Sequence, residues 1–278
     1  MRMASTQLSP QLSKMSTEES VRQENYIDSS HVEKSMAWET LAITLNPESN
    51  RFKDFKKNNY HLSITPYQAI KGSELSKEEV IRLGLATEEL LSSTLLTNGA
   101  LGCAASHRDI WKRCNIYGKG IFVMEDDCFT HPRINEFIFD NFDLLMTKDI
   151  CFFGINTDSI LESVSPQGLT TLSLFQPNYP GPEWIYQALT KTDVARVEIH
   201  KLLKAFGTCA YFVSPHGASK LDEYIFPLSL KTTNIPLIND KMPLVSIDRS
   251  GCSAYVQLEA MICHPFLAYS PNSDSSTQ

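Results

Sequence analysis

The chain has 278 residues, 42% of them hydrophobic and 21% charged, and its formal net charge is -7. This composition is typical of one globular domain with short tails, and no apolar run reaches the ~18 residues that a membrane-spanning helix needs. The negative net charge argues against nucleic acid as a partner, because binding to a phosphate backbone requires clustered lysine and arginine.

The two ends of the chain are polar. Residues 1–36 are rich in Ser, Gln and Glu and contain one aromatic residue, Tyr26, so we predict a flexible polar N-terminal tail. A single domain is expected over 37–269, followed by a polar C-terminal tail over 270–278. Because the first residues lack the apolar segment of a secretory signal, we expect a cytoplasmic protein. The sequence also allows peripheral association of the protein with the inner face of the membrane.

Strands and helices are predicted to alternate through the first half of the domain. A strand over 40–45 precedes a helix that we expect to begin with Asn46 as its cap and to reach about residue 58. Ser76 and Glu79 form a capping-box pattern for a helix that extends to about residue 93. A further helix is predicted over 99–117, because its apolar residues recur at helical spacing.

The second half of the domain continues this alternation. Its first strand is a continuous apolar run, which is typical of a strand covered on both faces. A polar stretch interrupted by proline and glycine predicts a long functional loop that could close over a substrate. The alternation favours an α/β sandwich with a mostly parallel central sheet. The predicted elements are, in order, a strand over 120–124, a helix over 133–146, a strand over 150–153, a loop over 156–183, a helix over 193–204, a strand over 208–213 and a helix beginning at Ser214.

Three consecutive carboxylates, Glu125, Asp126 and Asp127, follow the apolar strand. Ligands bind beyond the carboxyl ends of the strands in open α/β sheets. Because side chains alternate along an extended backbone, we expect Glu125 and Asp127 to share a ligand while Asp126 turns aside. A hard divalent cation, Mn²⁺ or Mg²⁺, would relieve their repulsion and bind substrate phosphates. The alternative is that these acids cap the helix that follows.

Three segments of the chain, in this order, resemble glycosyltransferase family 25, which is typified by lipopolysaccharide galactosyltransferases. Residues 43–51 are similar to the family's Ile-Asn-Leu followed shortly by Arg, residues 96–107 to its Leu-Thr-x-Gly-Glu-Ile-Gly-Cys-x-x-Ser-His, and residues 123–127 to its Leu-Glu-Asp-Asp. Weaker similarity follows over 207–218 and 236–240. Three residues depart from the pattern, where the family has Asn, Glu and Val: Thr44, Ala100 and Asn239. These departures bear on the choice of donor more than on the fold.

The resemblance implies a GT-A-type, Rossmann-like α/β/α sandwich that transfers a hexose, galactose or glucose, from a UDP-sugar to a saccharide hydroxyl with inversion. The implied acceptor is a lipid-linked or protein-linked glycan, in the biosynthesis of lipopolysaccharide or another cell-surface glycan. Mn²⁺ or Mg²⁺ would be bound by Glu125 and Asp127. An inverting displacement also requires a carboxylate near the attacking hydroxyl, and Asp240 is the candidate. The residues implied to contact the donor are Arg51, Ser106, His107, Glu125 and Asp126.

Two other functions stay open at this point. The same carboxylates could serve a metal-dependent phosphohydrolase, which would not need the segment over 99–107. The changes at Thr44 and Ala100 could instead mark a non-catalytic module that binds nucleotide sugars without turnover.

Several candidate residues also have an ordinary structural interpretation. His107 could be a core histidine, Arg51 a solvated charge at a helix start, and Asp240 a turn residue. Tyr179 and Trp184 could offer flat faces to a sugar ring, although packing against the helix predicted near Asp193 is the favoured single role of Trp184.

Overall fold

The computed structural model describes residues 38–158, 160–176, 178–235 and 240–272. The predicted tail over 1–36 lies outside the described residues, as do residues 273–278 and the side chain of Asp240.

Helices and strands alternate along the described chain. The helices are α1 (Asn50–Asn58), α2 (Lys77–Arg82), α3 (Glu88–Leu91), α4 (Asn98–Tyr117), α5 (Ile134–Asp140), α6 (Phe142–Thr147), α7 (Pro182–Lys191), α8 (Pro215–Ile225) and α9 (Ile247–Ala254). The strands are β1 (Trp38–Thr44), β2 (Thr65–Gln68), β3 (Gly120–Glu125), β4 (Phe129–Thr130), β5 (Ile150–Gly154), β6 (Ile160–Val164), β7 (Thr170–Leu174), β8 (Glu198–Ala205), β9 (Ala210–Val213), β10 (Thr232–Ile235), β11 (Asp240–Pro243), β12 (Ala260–His264) and β13 (Ala268–Tyr269).

Nine strands form one central sheet in the order β2-β1-β3-β9-β5-β12-β8-β6-β7. The predicted α/β class with a Rossmann-like central sheet is confirmed. The sheet is mixed, however: β1 pairs in parallel with β2 and β3, and β5 with β12, whereas the other five pairings are antiparallel. Strand β9 is inserted antiparallel between β3 and β5 and is buried throughout. A short, fully buried strand has the same apolar pattern in either direction, so the sequence does not reveal its orientation.

The sheet has a hydrophobic cluster on each face. Along β3, Ile121 and Val123 pack into the cluster that contains Trp111 of α4, whereas Phe122 and Met124 pack into the other cluster. Phe52 and Phe55 of α1 and Phe137 of α5 lie in this second cluster. Alternate side chains of a strand point to opposite faces, so the continuous apolar run over 120–124 follows from burial on both sides.

The first half of the domain confirms most of the predicted helices and corrects two of their boundaries. Helix α1 begins at Asn50, because the Oγ of Ser49 accepts a hydrogen bond from the Phe52 N–H at 3.1 Å. The predicted cap, Asn46, instead closes a turn by accepting from the Glu48 N–H at 2.9 Å.

The capping box at Ser76 is confirmed, but its helix ends at Arg82 and does not reach 93. Gly84 has a φ of +64°, which breaks the helix, and the short α3 begins separately after Thr87. The helix predicted over 99–117 is confirmed as α4, capped by Thr97.

The second half contains the larger corrections. The helix predicted over 133–146 is two helices, α5 and α6, that meet at Asn141. The predicted loop over 156–183 contains the hairpin β6-β7, which extends the central sheet through β8. This hydrogen bonding argues against a freely moving lid over that whole stretch. The strand over 208–213 and the helix after Ser214 are confirmed as β9 and α8, within one or two residues.

The helix predicted over 193–204 is wrong, because β8 occupies this region. Leu202 and Ala205 are both buried and lie three residues apart, which is helical spacing. The pairing of β8 with β6 skips Leu203 between Leu202 and Lys204, and the register shifts there. An extra residue in one strand returns the alternation to the same face, so a bulged strand imitates the pattern of a helix.

Candidate active site

A cleft of about 970 Å³ opens beyond the carboxyl ends of β1 and β3. It is lined by the end of β1, the segment over 69–73, the start of α4, the turn after β3, residues 207–208 before β9 and residues 245–249 at the start of α9. The parallel alignment of β1 and β3 places their carboxyl ends at one edge, where open α/β sheets bind ligands.

Six of the sequence-predicted site residues line this cleft. They are Arg51, Ser106, His107, Glu125, Asp126 and Asp127. Asp240 begins β11, where its neighbour across the two-stranded sheet is Ile235, and its assignment as a base stays a prediction.

Asp126 is held on two sides. It accepts a hydrogen bond from Nε of Arg51 at 2.7 Å and another from the hydroxyl of Thr44 at 2.6 Å. Nη2 of the same arginine lies 3.4 Å from Oδ2 of Asp127. We expected Asp126 to turn away from the other two acids, and this was wrong. Strand β3 ends at Glu125 and the next two residues form a turn, so the alternation of an extended strand does not continue through them.

Asp127 is a buried carboxylate in an unfavourable electrostatic environment. Burial, and then the negative charge of Glu125, raise its pKa to about 6, although Arg51 and a hydrogen bond from Ser270 oppose the rise. Its Oδ1 is buried and has no hydrogen-bond partner among the described residues. Such an oxygen is costly to leave unpaired, and a bound cation would satisfy it.

Glu125 is stabilised in its charged form. Burial alone would raise its pKa, but the interaction with His107, the hydrogen bond from Thr208 and the charge of Arg51 together hold the pKa below its usual value. The Thr208 hydroxyl donates to Oε1 at 2.6 Å, and Nε2 of His107 lies 3.5 Å from the same oxygen.

His107 belongs to a buried polar chain. Its Nδ1 lies 2.7 Å from the hydroxyl of Tyr211, and this hydroxyl also accepts a hydrogen bond from Nε1 of Trp111 at 3.0 Å. All three side chains are almost completely buried. His107 is therefore both a core residue and a cleft residue, so the two interpretations of its sequence position are compatible.

Ser106 supports the cleft wall. Its hydroxyl donates to the carbonyl of Gly102 at 2.7 Å and accepts from the Ile70 N–H at 2.8 Å. This ties the segment over 69–73 to α4. A Cβ added to Gly102 would lie 2.5 Å from the Ile70 carbonyl oxygen, so only glycine allows the close approach at this position.

Two ligand sets could hold a cation at this site. Cys103, His107 and Glu125 each offer an atom, and these atoms lie within 4.8 Å of one another. Burial, and then the charge of Glu125, raise the pKa of the Cys103 thiol well above its usual value, which disfavours the thiolate that binds metals. The carboxylates of Glu125 and Asp127 offer hard oxygens, including the unpaired Oδ1. The carboxylate pair therefore fits Mn²⁺ or Mg²⁺ better than the sulfur-containing set does.

The sequence did not single out every residue of the cleft. Thr208, Asp248, Arg249 and Asn272 line it as well, and Ser270 reaches Asp127. Thr208 lies within the segment over 207–218 that is similar to the family, so this similarity could have identified it as a site residue. The others lie close in space but far along the chain from the carboxylates, and no local pattern marks them.

The sequence model of glycosyltransferase family 25, a family described as LPS biosynthesis protein, matches residues 37–236 of the chain. The chain belongs to glycosyltransferase family 25. The matched segment contains Arg51, α4 and the three carboxylates, whereas Asp248 and Asn272 lie beyond it. No curated protein matches the chain.

Membership of family 25 makes the protein a glycosyltransferase of the kind that serves lipopolysaccharide biosynthesis, and such an enzyme acts on a donor and an acceptor. The helices of this family 25 enzyme, within the described residues, are too short or too polar to cross a membrane.

Proposed function

We propose that this cleft transfers a hexose, galactose or glucose, from a UDP-sugar to a hydroxyl of a saccharide acceptor, with inversion and with the aid of Mn²⁺ or Mg²⁺. The acceptor would be a lipid-linked or protein-linked glycan, with lipopolysaccharide favoured by the family. The observation that carries the proposal is the group of three carboxylates braced by Arg51 at the carboxyl end of β3.

The donor side of the proposal rests on charge. A planar guanidinium suits a diphosphate, because it donates several hydrogen bonds in a fixed geometry. Arg51 is oriented by Asp126 and lies at the mouth of the cleft with its side chain 37% exposed. Thr44 and Asp126 would therefore act as positioning residues for Arg51, which would contact the diphosphate.

Glu125 and Asp127 would hold the divalent cation through oxygens that face the cleft. When bound, the cation would supply positive charge to the diphosphate leaving group. His107 would keep Glu125 ionised and oriented, because its ring lies against Oε1 of that carboxylate.

The acceptor side requires a carboxylate that takes a proton from the attacking hydroxyl. Asp240 is proposed for this role from the resemblance of its segment to the family. Asp248, which lines the cleft at the start of α9, is a second candidate on position.

The test is a panel of UDP-, GDP- and CMP-sugars with and without Mn²⁺. Thermal unfolding reports binding, because a ligand of the native state raises its stability by mass action, and release of the nucleoside diphosphate reports transfer. Stabilisation by UDP-sugars that depends on Mn²⁺, with release of UDP, is expected. Binding without turnover would indicate a non-catalytic module, and hydrolysis of simple phosphate esters would indicate the phosphohydrolase.

A further inference from the structure

We propose that Trp184 and Tyr269 form a stacking subsite for a pyranose ring of the acceptor, beside the cleft. This inference rests on the proposed function, since it names where the acceptor saccharide lies.

The subsite is the exposed end of an aromatic cluster. The rings of Trp184 and Tyr269 meet edge to face with centroids 5.5 Å apart, and Tyr269 lies 5.7 Å from Phe266. Phe266 is buried and contacts Phe175 from the end of the β6-β7 hairpin. Trp184 is therefore held by its contact with Tyr269, which in turn packs on Phe266. We call Trp184, Tyr269, Phe266 and Phe175 the aromatic platform.

About half of the Trp184 side chain is exposed to solvent, although its helix is well anchored in the core. Trp184 leaves 53% of its surface open to solvent, and α7 is anchored in the core by Ile185 and Leu189. Large exposed aromatic rings that are held rigidly are a common feature of binding surfaces, because they bury apolar area with little loss of conformational entropy. Trp184 differs from Tyr186 of the same helix, which is 66% exposed, in that a ring contact with Tyr269 holds it in place.

Two connections join the platform to the cleft. Tyr269 is followed by Ser270, whose side chain lies close enough to the carboxylate of Asp127 to lower its pKa. In addition, Asp158 and Asn272 lie near the hydroxyl of Tyr179, three residues before the start of α7, and Asn272 lines the cleft. The same short C-terminal segment therefore contacts both the carboxylate cluster and the platform.

The groups at and around the aromatic platform have the chemistry needed to bind a sugar. One face of a pyranose carries mainly C–H groups and is flat and apolar, so an aromatic ring can remove it from water. Its edge carries hydroxyls that need partners, and Asp158, Asn272 and the Tyr179 hydroxyl offer them beside the platform.

The test uses the fluorescence of Trp184. The chain has three tryptophans, of which Trp111 is buried and Trp38 partly buried, so quenching by acrylamide reports mainly on Trp184. Methyl β-galactoside, methyl β-glucoside and lactose are titrated in the presence of UDP and Mn²⁺, with mannitol as the acyclic control. We expect the pyranosides to protect Trp184 from quenching and mannitol not to do so.

Three variants complete the test, with pyranoside binding measured by calorimetry because two of them remove the Trp184 fluorescence. Trp184→Ala should weaken binding of the protective pyranoside by about tenfold or more, whereas Trp184→Phe, which keeps a flat ring, should retain most of the affinity. Tyr186→Ala is the matched control, because Tyr186 lies on the same helix, is 66% exposed and is displaced by two residues to another side. Its affinity for the pyranoside should not change.

The outcomes separate this inference from the proposed function. If UDP and Mn²⁺ bind but no pyranoside protects Trp184, or if Trp184→Ala binds as the wild type does, the subsite is wrong and the donor site stands. If UDP alone protects Trp184, the platform serves the nucleotide and the inference is overturned. If no nucleotide sugar binds in the thermal assay, the proposed function itself fails.

Discussion

Replacing Tyr211 by Phe tests the buried chain that leads from Trp111 to the carboxylates. The Tyr211 hydroxyl accepts from Nε1 of Trp111 and contacts Nδ1 of His107. The substitution removes one oxygen and leaves two buried polar groups without their partner. Each such group costs ~1–3 kcal/mol, and loss of the buried hydroxyl returns part of this, so we expect destabilisation by about 2–3 kcal/mol. For a domain of this size the melting temperature should fall by about 4–12 °C.

The same substitution should change the ring of His107. Indole Nε1–H is only a donor, so the single proton of the Tyr211 hydroxyl is left to be donated to Nδ1. With Nδ1 as the acceptor, the ring proton lies on Nε2, which faces Oε1 of Glu125 at 3.5 Å. The other tautomer would direct a lone pair at a carboxylate. In Tyr211→Phe we therefore expect a mixture of tautomers and weaker binding of UDP-sugar through a less well oriented Glu125.

The assay combines thermal unfolding with ¹⁵N chemical shifts of the imidazole of His107, recorded without metal. Tyr255→Phe is the matched control, because Tyr255 is also buried in the core and packs against Phe152, and its hydroxyl has no hydrogen bond with the described residues. It should lose less stability and leave the His107 shifts unchanged. An unchanged His107 tautomer in Tyr211→Phe would refute the proposed proton arrangement, and an equal loss of stability in both variants would refute the energetic argument.

Two further predictions concern the cleft, and a third concerns the buried His131 outside it. Asp127→Asn should weaken binding of Mn²⁺ and UDP-sugar by about tenfold or more, or ~1.4 kcal/mol, while the folded structure is kept, since an amide is a poorer ligand of the same shape; unchanged binding in calorimetry would contradict the metal assignment. Of Asp240→Asn and Asp248→Asn, the one that removes the base should lower kcat by about 10²-fold or more without changing donor affinity; transfer at the wild-type rate in both would exclude the two candidates. Burial lowers the pKa of His131, so the unfolded state takes up the proton more readily and this side chain costs stability as the pH falls below its ordinary pKa. His131→Gln should therefore lose less stability than the wild type between about pH 7.5 and pH 5.5 in denaturant titrations; parallel losses would contradict the lowered pKa.

The parts of the fold that the sequence predicted correctly are those with local causes. Helix α4 begins at a threonine cap and ends at Gly118 in the left-handed conformation, and both signals are readable from single residues. The apolar run of β3 follows from burial on both faces. The capping box at Ser76 is likewise a local pattern, and it fixed where α2 begins but not where it ends.

The parts that were missed have non-local causes. Strand β8 imitates a helix because a bulge, which exists only in pairing with β6, places Leu202 and Ala205 on one side. Strand β7 of the hairpin forms a largely exposed edge of the sheet, and a polar edge strand has a composition close to that of a loop. In both cases the partner strand decides the structure.

The residues of the candidate site also divide into those that the sequence predicted and those that it missed. Arg51, His107 and the three carboxylates belong to recognisable motifs, and the fold brings them together because β1 and β3 are parallel neighbours. Asp248 and Asn272 reach the cleft through the path of the chain after residue 236, where the sequence has no motif to indicate it.

We expect the matched segment and the segment after it to have different functions. The residues proposed for the diphosphate and the cation lie inside the segment that matches the family, whereas Asp248, Tyr269 and Asn272 lie after it. Ser270 joins the two groups through Asp127. A donor bound at the carboxylates, as proposed, would therefore lie beside the start of the C-terminal segment. We expect the choice of acceptor to depend on that segment and the chemistry of the leaving group to depend on the matched one, since the two sets of side chains reach the cleft from different parts of the chain.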